Sequence, residues 1–550
     1  MERYAVYWFH KRKHKQVKQH ATNTDGLEDG CDFMKYRRTA SLFLILIICL
    51  LLAADFGTLQ AYASDQPNES GVLLVRRDWS DDVKQSLNDL ISTCGKNGTA
   101  PAESPYAVFD FDNTSCIFDV EEQLAVYQLE VMAFALQPGE LKKVLLTGLA
   151  DADKDLTDFG YGKGSLNDWI DDISAAYGKL WEEYGPFTAG GVDPEKRTEM
   201  HADPFWKEFS AKMRALYSLI YDAQSSDIAY PWVTYWFTGM TEEEIYDLAK
   251  EAFAVYKDVD TSVITWTSPE TIQSKTGIVS YEWTSGIRVT ENIRELWCAL
   301  EANGIDVWVC SASCTAAVRA AIDLFGLHEY CTGMLAMTNR KDSSGKYTAA
   351  YDAEDGRGFY ANKDGSWTRM ERATKAQTQG VGKVTAIVNA ISPEYNHQGP
   401  IAGFMDSTGD FNFCTEFETL RLVVCFNRAN RKVTDGGGLI AELAIYQKDT
   451  LGYDLKKANE AGDTLYVLQG RDENGRRTLR NSNSTVLLGS EKETLFKNAD
   501  NYAQLQKMID DKMTTKDILN RWSLRSAKGE NGFEFDVGFL AEYAGYHSHR

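Results

Sequence analysis

The stretch Tyr106-Ala-Val-Phe-Asp110-Phe-Asp112-Asn-Thr114 decides how this chain folds. Its first four residues are apolar and predict a short buried strand, which ends directly at an acid. The pattern returns twice, where the mainly apolar residues 305–310 precede Ser311 and residues 399–405 precede Asp406. Strands that alternate with helical segments predict a parallel sheet. We therefore expect an α/β fold in which these polar residues share one edge of the sheet.

Helical periodicity fills the segments between the strands. Predicted helices cover residues 288–302, 315–325 and 383–391, and a further strand covers residues 420–426. A long block that includes a capping box at Thr241 and Glu244 is mostly helical and interrupts this alternation. We predict a doubly wound, Rossmann-like parallel sheet with an inserted, mainly helical cap domain. The sheet would comprise residues 106–119 and 285–430, and the cap residues 120–284.

The two ends of the chain are predicted to lie outside this core. Residues 42–54 form an apolar run of 13, which is short for a membrane span of about 20 residues. Basic residues precede the run and Ala61-Tyr62-Ala63 follows it, so residues 1–63 are typical of a signal peptide with its N-terminal extension. Residues 64–105 are mixed and polar. Residues 431–550 form a C-terminal extension, with a candidate hairpin at 464–468 and 484–488.

Composition limits the functions that this chain can have. It has 550 residues, of which 43% are hydrophobic, and a formal net charge of -22. Such acidity argues against nucleic acid as a partner, because duplex binding needs a basic face. Eight of the ten cysteines follow residue 63, and none has zinc-finger spacing. We expect buried thiols rather than disulfides, an exported protein, and membrane contact only through the signal segment.

The polar residues at the strand ends form a chemical set. Asp110 and Asp112 follow the first strand, and Asp406 and Asp410 follow a later one. Lys383 begins the helix before that later strand. Each residue also has a structural interpretation: the paired acids as turn formers, Ser311 and Asp410 as helix caps, and Lys383 as a surface lysine, with Lys375 as the alternative.

This set resembles the haloacid dehalogenase superfamily in its phosphatase branch. The matching motifs are Asp110-x-Asp112-x-Thr114, Ser311, Lys383 and Asp406-Ser407-x-x-Asp410. The resemblance covers about residues 106–430. Members of this family usually have glycine before the first acid of the last motif, where this chain has Met405, which could crowd a metal site.

Longer matches resemble the exported bacterial phosphorylcholine phosphatases. They are Phe109-Asp-Phe-Asp-Asn-Thr, Phe118-Asp-Val-Glu-Glu122, Tyr230-Pro-Trp-Val, Phe237-Thr-Gly-Met-Thr241 and Asn303-Gly-Ile-Asp-Val-Trp-Val-Cys-Ser-Ala-Ser313. Several of them lie in the predicted cap. The resemblance implies an exported phosphomonoesterase that uses Mg²⁺ and acts through an aspartyl-phosphate.

Under this resemblance the residues take defined roles. Asp110 would be the nucleophile, Asp112 the general acid and base, Ser311 a phosphate ligand and Lys383 the balancing cation. Asp110, Asp406, Asp410 and the backbone carbonyl of Asp112 would supply or support the metal ligands. A choline headgroup needs aromatic faces and carboxylates, for which the candidates are Glu121, Glu122, Tyr230 and Trp232.

Two alternatives stay open at this point. The substrate could be another small phosphomonoester, such as phosphoserine, if the aromatic residues only pack in the core. A surface binding protein on the same fold, with weak catalysis, is the second alternative, and Met405 is the sequence feature that suggests it. The sequence leaves the oligomeric state open.

Overall fold

A central sheet of eight strands organises the described part of the chain. The structure is a computed structural model that describes residues 72–429, 436–475, 478–495, 515 and 519. These residues belong to one unit, residues 70–550. The predicted signal peptide lies outside the described residues.

The strands and helices follow one another along the chain with these bounds. The strands are β1 Tyr106–Phe109, β2 Ser262–Thr267, β3 Ser280–Ser285, β4 Asp306–Cys314, β5 Gly333–Met337, β6 Asn339–Lys341, β7 Tyr347–Tyr351, β8 Arg357–Ala361, β9 Trp367–Ala373, β10 Ala402–Met405, β11 Leu422–Phe426, β12 Leu465–Gln469, β13 Arg471–Asp472, β14 Thr478–Leu479, β15 Thr485–Val486 and β16 Glu493–Thr494. The helices are α1 Asp81–Cys94, α2 Val120–Val131, α3 Pro138–Leu145, α4 Leu166–Tyr184, α5 Pro194–Ala202, α6 Pro204–Ala223, α7 Ser226–Thr234, α8 Glu242–Tyr256, α9 Glu291–Ala302, α10 Thr315–Leu324, α11 Val381–Ala386, α12 Gly436–Tyr446 and α13 Leu455–Glu460.

The central sheet is mainly parallel, as the alternation of strands and helices predicted. Its order is β12-β11-β10-β1-β4-β5-β8-β9, and the pairs from β12 to β5 are parallel. Strands β8 and β9 add an antiparallel edge. In the register, Phe109 of β1 lies opposite both Phe404 of β10 and Val309 of β4. The residues that follow these strands therefore meet at one edge of the sheet.

Both faces of the sheet are buried under helices, which explains why its strands are almost wholly apolar. Ala107 and Phe109 of β1 pack into one hydrophobic core with residues of α1, α2, α9 and α10. Their neighbours Tyr106 and Val108 pack into a second core with residues of α11 and α12. Since successive side chains of a strand point to opposite faces, the two cores lie on opposite sides of the sheet.

The segment between β1 and α9 forms a mainly helical insert. Seven helices, α2 to α8, and the hairpin β2–β3 make up its regular structure. Most of the helices bury apolar residues in a third core, whose fully buried members include Trp169, Phe209 and Trp236. The helical prediction for this segment is correct, and the hairpin is an addition that the sequence analysis did not foresee.

The sheet extends past residue 430, where the predicted core ended. Strand β12 pairs with β11 in parallel and forms an edge of the sheet. The predicted hairpin of 464–468 with 484–488 is therefore wrong, because the first segment belongs to the central sheet. Thr485–Val486 instead joins a separate sheet of order β14-β13-β15-β16. Helix α12 approaches the central sheet so closely that a Cβ atom on Gly437 would lie 2.3 Å from the carbonyl oxygen of Asp406.

Helix α1 was missed in the polar segment before β1. Its buried residues Val83, Leu87, Leu90 and Ile91 have helical spacing and form one face. The eight cysteines from Cys94 to Cys425 are free, and seven of them are buried, as predicted. Within the described ranges, every helix is too short or too polar to cross a membrane.

Candidate active site

Three buried aspartates form the centre of the candidate site. Asp110 follows β1, while Asp406 and Asp410 follow β10. Each offers one carboxylate oxygen, and these three oxygens lie within 4.8 Å of one another. Each residue is at most 6% exposed. Clustered carboxylate oxygens are the ligands that hard divalent cations prefer, so this group can hold a metal ion.

Two cations neutralise part of this group. Lys383 lies in α11, and its Nζ donates to one oxygen each of Asp110 and Asp410, both at 2.6 Å. Arg428 follows β11 and donates from Nη1 to Asp406 at 2.8 Å. Lys383 is 1% exposed, whereas its sequence alternative Lys375 is exposed. The structure therefore brings together four residues that the sequence analysis selected: Asp110, Lys383, Asp406 and Asp410.

Burial shifts the protonation of these groups. Desolvation, and next the charge of Asp410, raise the pKa of Asp110 well above its usual value despite the nearby Lys383. Desolvation also raises the pKa of Asp410 to about 6, with Lys383 acting in the opposite direction. Burial alone would lower the pKa of Lys383, but Asp110 and Asp410 raise it, so the ammonium stays charged.

Asp112 lies beside the aspartate cluster and is held in a different way. Its Oδ1 accepts the Val120 N–H at 2.6 Å, and its Oδ2 accepts the Ser313 hydroxyl at 2.6 Å. Desolvation first, then the charges of Asp119 and Asp110, raise its pKa well above the ordinary value. A carboxyl group with a raised pKa suits the predicted role of general acid.

The predicted phosphate ligand Ser311 lies just behind the wall of the cleft. Its hydroxyl donates to Asp112 at 3.4 Å and accepts the Ser313 N–H at 3.1 Å, and the residue is fully buried. Ser313 and Ala312 line the cleft instead. The register between β4 and β5 is irregular between Cys310 and Cys314, and in this stretch Ser313 lines the cleft while Ser311 does not.

The cleft above the cluster has a volume of about 90 Å³. Its wall contains Tyr217 and also five side chains that the sequence analysis missed: Asn113, Asp119, Ser313, Gln379 and Arg428. Asp119 also caps α2, since it accepts the Glu122 N–H at 2.9 Å. Desolvation, and next the charge of Glu122, raise the pKa of Asp119 to about 6. A cleft of this size can admit a small molecule.

Two of the four candidate substrate residues line the cleft. Glu121 accepts the Cys314 N–H through Oε2 at 2.8 Å, while its buried Oε1 has no hydrogen-bond partner. Desolvation raises the pKa of Glu121 to about 7. Tyr230 of α7 and Tyr217 of α6 also belong to the wall. The insert thus contributes both acidic and aromatic side chains.

The structure places the other two candidates elsewhere. Glu122 forms an ion pair with Arg214 of the insert. Trp232 is 1% exposed, packs against Trp236 and donates from Nε1 to the Leu145 carbonyl at 2.7 Å. Glu122 and Trp232 therefore stabilise the insert instead of lining the cleft. Met405, which could have crowded a metal site, packs in a hydrophobic core with residues of α12.

Comparisons with known proteins support the fold and leave the activity open. No family model and no curated protein matches this chain. Among the solved structures that match is the crystal structure of a conserved functionally unknown protein from Anaerococcus prevotii DSM 20548. It is 28% identical, with a TM-score of 0.59, and the match covers 75% of this chain and 98% of that one. The shared feature is the α/β architecture with its large central sheet.

Proposed function

We propose that this protein is a magnesium-dependent phosphomonoesterase of the haloacid dehalogenase type, with a helical cap, and that it acts on phosphocholine or a related alkylammonium phosphate. One observation carries the proposal: Asp110, Asp112, Lys383 and the pair Asp406 and Asp410 converge in a single small cleft. Phosphoryl transfer depends on positioning and on charge neutralisation, and this set supplies both.

The residues divide the chemistry between them. The carboxylate of Asp110 attacks phosphorus and forms an aspartyl-phosphate, while the alcohol leaves. Asp112 gives its proton to the leaving oxygen and afterwards takes one from the water that hydrolyses the aspartyl-phosphate. Lys383 holds Asp110 in place through a 2.6 Å hydrogen bond and balances the negative charge of the phosphate.

The aspartate cluster fits Mg²⁺, with Asp110, Asp406 and Asp410 as the residues that would hold or support it. The bound ion would offset the charge of a phosphate dianion beside several carboxylates. An all-oxygen donor set favours Mg²⁺ over softer metals, which take imidazole or thiolate ligands. Among the described residues, this is the group of acids, histidines and cysteines that the geometry brings within metal-binding distance.

The acidic and aromatic wall supports a cationic substrate. A quaternary ammonium group donates no hydrogen bond, so it is held by aromatic faces and by negative charge. Glu121 and Asp119 supply carboxylates, and Tyr217 and Tyr230 supply rings. Glu121 acts through its charge from within the wall, because its Oε1 is buried and has no hydrogen-bond partner.

Arg428 favours a second candidate substrate class. Its side chain lines the cleft and is 37% exposed, so it can also meet an anion. A substrate with a carboxylate near its phosphate, such as phosphoserine, would use this contact. The two classes differ in charge at the headgroup, so a direct assay separates them.

The test is phosphate release by the purified chain with and without Mg²⁺. The substrates are phosphocholine, phosphoethanolamine, phosphoserine and an aryl phosphate, with Asp110→Asn as the matched inactive variant. We expect the highest kcat/KM for phosphocholine and no release by the variant. Preference for phosphoserine would support the second candidate. Absence of release from every substrate, with folded protein and metal, would leave a binding protein on this fold.

We further propose that the protein is exported, so that it acts outside the cytoplasm. The support is the apolar run 42–54, the basic residues before it and the small residues at 61–63. Sequencing the N-terminus of the protein from its native cells should give Ser64 as the first residue. Recovery of an intact N-terminus would contradict cleavage after Ala63.

A further inference from the structure

Arg471, in the C-terminal part of the chain, contacts the loop of residues 110–116 that carries Asp110, the nucleophile loop. It lies in β13, which belongs to the small sheet after the central sheet. Its Nη1 donates to the backbone carbonyl of Asn113 at 2.9 Å, and its Nη2 donates to Asn113 Oδ1 at 3.0 Å. The two residues are 358 positions apart. The contact therefore joins the C-terminal segment directly to the loop between Asp112 and Thr114.

The residue that Arg471 holds has an unusual backbone conformation. Asn113 has φ of 60°, in the left-handed region that non-glycine residues rarely adopt. This conformation turns the chain between Asp110 and Thr114, and the Asn113 N–H donates to the backbone carbonyl of Phe118 at 3.0 Å. Because a guanidinium presents its donors in a fixed plane, two bonds to one residue fix both its backbone and its side chain.

The Arg471 side chain is itself fixed from behind. It is fully buried, and its Nε and Nη2 donate to Glu473 Oε1 at 3.0 and 2.6 Å. The other oxygen of Glu473 accepts the Leu488 N–H at 3.2 Å. A buried charge that is paired and hydrogen-bonded in this way has little freedom to move. The small sheet therefore fixes the position of the guanidinium, and the guanidinium in turn fixes the position of Asn113.

We propose that Arg471 is a positioning residue for the nucleophile loop, so that the C-terminal segment completes the active site. The proposal rests on the proposed phosphatase function. It assigns a role to a segment that lies outside the motifs of the core. Arg471 acts through Asn113, whose neighbour Asp112 must meet the leaving oxygen and the attacking water.

The test compares Arg471→Lys with Arg319→Lys in the full chain. Lysine keeps the charge but cannot reach Glu473 and both oxygens of Asn113 in one plane. Arg319 is a matched control, since it is 5% exposed and paired with Glu242, and its guanidinium lies over Phe359, away from the cleft wall. We expect Arg471→Lys to lower kcat by about 10- to 100-fold with a KM change below about threefold. Arg319→Lys should keep kcat per folded molecule.

A second readout does not depend on turnover. In hydrogen–deuterium exchange, the amides of Asn113 and Cys116, which are bonded within the loop, should exchange faster in Arg471→Lys and not in Arg319→Lys. If the wild type releases no phosphate, the proposed function fails and the exchange result still decides the positioning role. Unchanged exchange in this loop, or wild-type kcat in Arg471→Lys, would overturn the proposal.

Discussion

Replacing Glu121 by glutamine tests the electrostatics of the cleft and the substrate assignment together. Glutamine keeps the shape of glutamate, and its Oε1 can still accept the Cys314 N–H that glutamate accepts at 2.8 Å. The charge is removed from a side chain that is 7% exposed. Burying the new amide group costs the same free energy at every pH, because the amide does not titrate. This cost therefore cancels when the stability of the variant is compared between two pH values.

The size of the effect follows from the pKa of Glu121, which burial raises from 4.5 to about 7. The folded state therefore keeps a proton between pH 4.5 and 7 that the unfolded state has released, and the free energy of unfolding falls as pH rises through this window. At 1.36 kcal/mol per pH unit, the loss reaches about 3 kcal/mol above pH 7. Glu121→Gln lacks this loss.

We therefore expect Glu121→Gln to gain up to about 3 kcal/mol relative to wild type between pH 4.5 and pH 8, measured by urea unfolding without divalent metal. The affinity for choline should fall in Glu121→Gln, whereas its stability at high pH should rise. In the wild type, free choline should inhibit more strongly as pH rises through 7, because the ionised carboxylate attracts the cation. In Glu121→Gln, inhibition should be weak and independent of pH.

Glu130→Gln is the matched control, since Glu130 lies in the same helix α2. Burial raises its pKa to about 7 as well, and its carboxylate accepts the Tyr256 hydroxyl at 2.7 Å, away from the cleft wall. This variant should change the pH dependence of stability without changing inhibition by choline. Equal loss of inhibition in both variants, or unchanged inhibition in Glu121→Gln, would refute the assignment of Glu121 to the headgroup.

Three further predictions concern other side chains of the site and the insert. Lys383→Met should destabilise the fold by about 3–5 kcal/mol and remove turnover, because it leaves buried aspartates without their partner. Lys212→Met breaks an equally buried ion pair of the insert and is the control. It should lower the free energy of unfolding in urea by as much and keep kcat per folded molecule. Trp232→Phe should lower stability by about 1–3 kcal/mol with an unchanged KM for phosphocholine, while Tyr230→Ala should raise that KM about tenfold. Asp110→Asn should release no phosphate but raise the Tm at pH 8 in EDTA, because the raised pKa of Asp110 means that its ionised form is costly; a lower Tm would contradict this.

The sequence predicted the core of the site because strand ends converge in a parallel sheet. Asp110 and Asp406 are far apart in the chain, but β1 and β10 are neighbours in register. The same rule would have found Arg428, which follows β11 as Asp406 follows β10. Asp119 also had a signal, since an aspartate before a helix is typical of an N-cap and places a carboxylate beside Glu121.

The wall of the insert could not be predicted in the same way. Tyr230 and Trp232 are two positions apart in one helix, so their side chains leave it in different directions, and only Tyr230 is in the cleft wall. Glu121 and Glu122 are adjacent and separate for the same reason. To choose the cleft-facing member of each pair, one must know how each helix is rotated about its axis relative to the core. Arg471 had no local signal, because its partner lies 358 residues away.

The charge of the cleft favours a substrate with a cationic headgroup. Six acidic side chains line it, at Asp110, Asp112, Asp119, Glu121, Asp406 and Asp410, against the two cations Lys383 and Arg428, and of the six only Asp112 is proposed to act as a proton donor. A phosphate dianion would be repelled by such a site unless positive charge came with it. A divalent ion at the aspartate cluster and a quaternary ammonium beside Glu121 would supply that charge at the two places where the carboxylates are densest. The carboxylate of phosphoserine, which choline lacks, could rely on Arg428 alone, and Asp406 already engages that guanidinium. The site therefore supports phosphocholine over phosphoserine on electrostatic grounds.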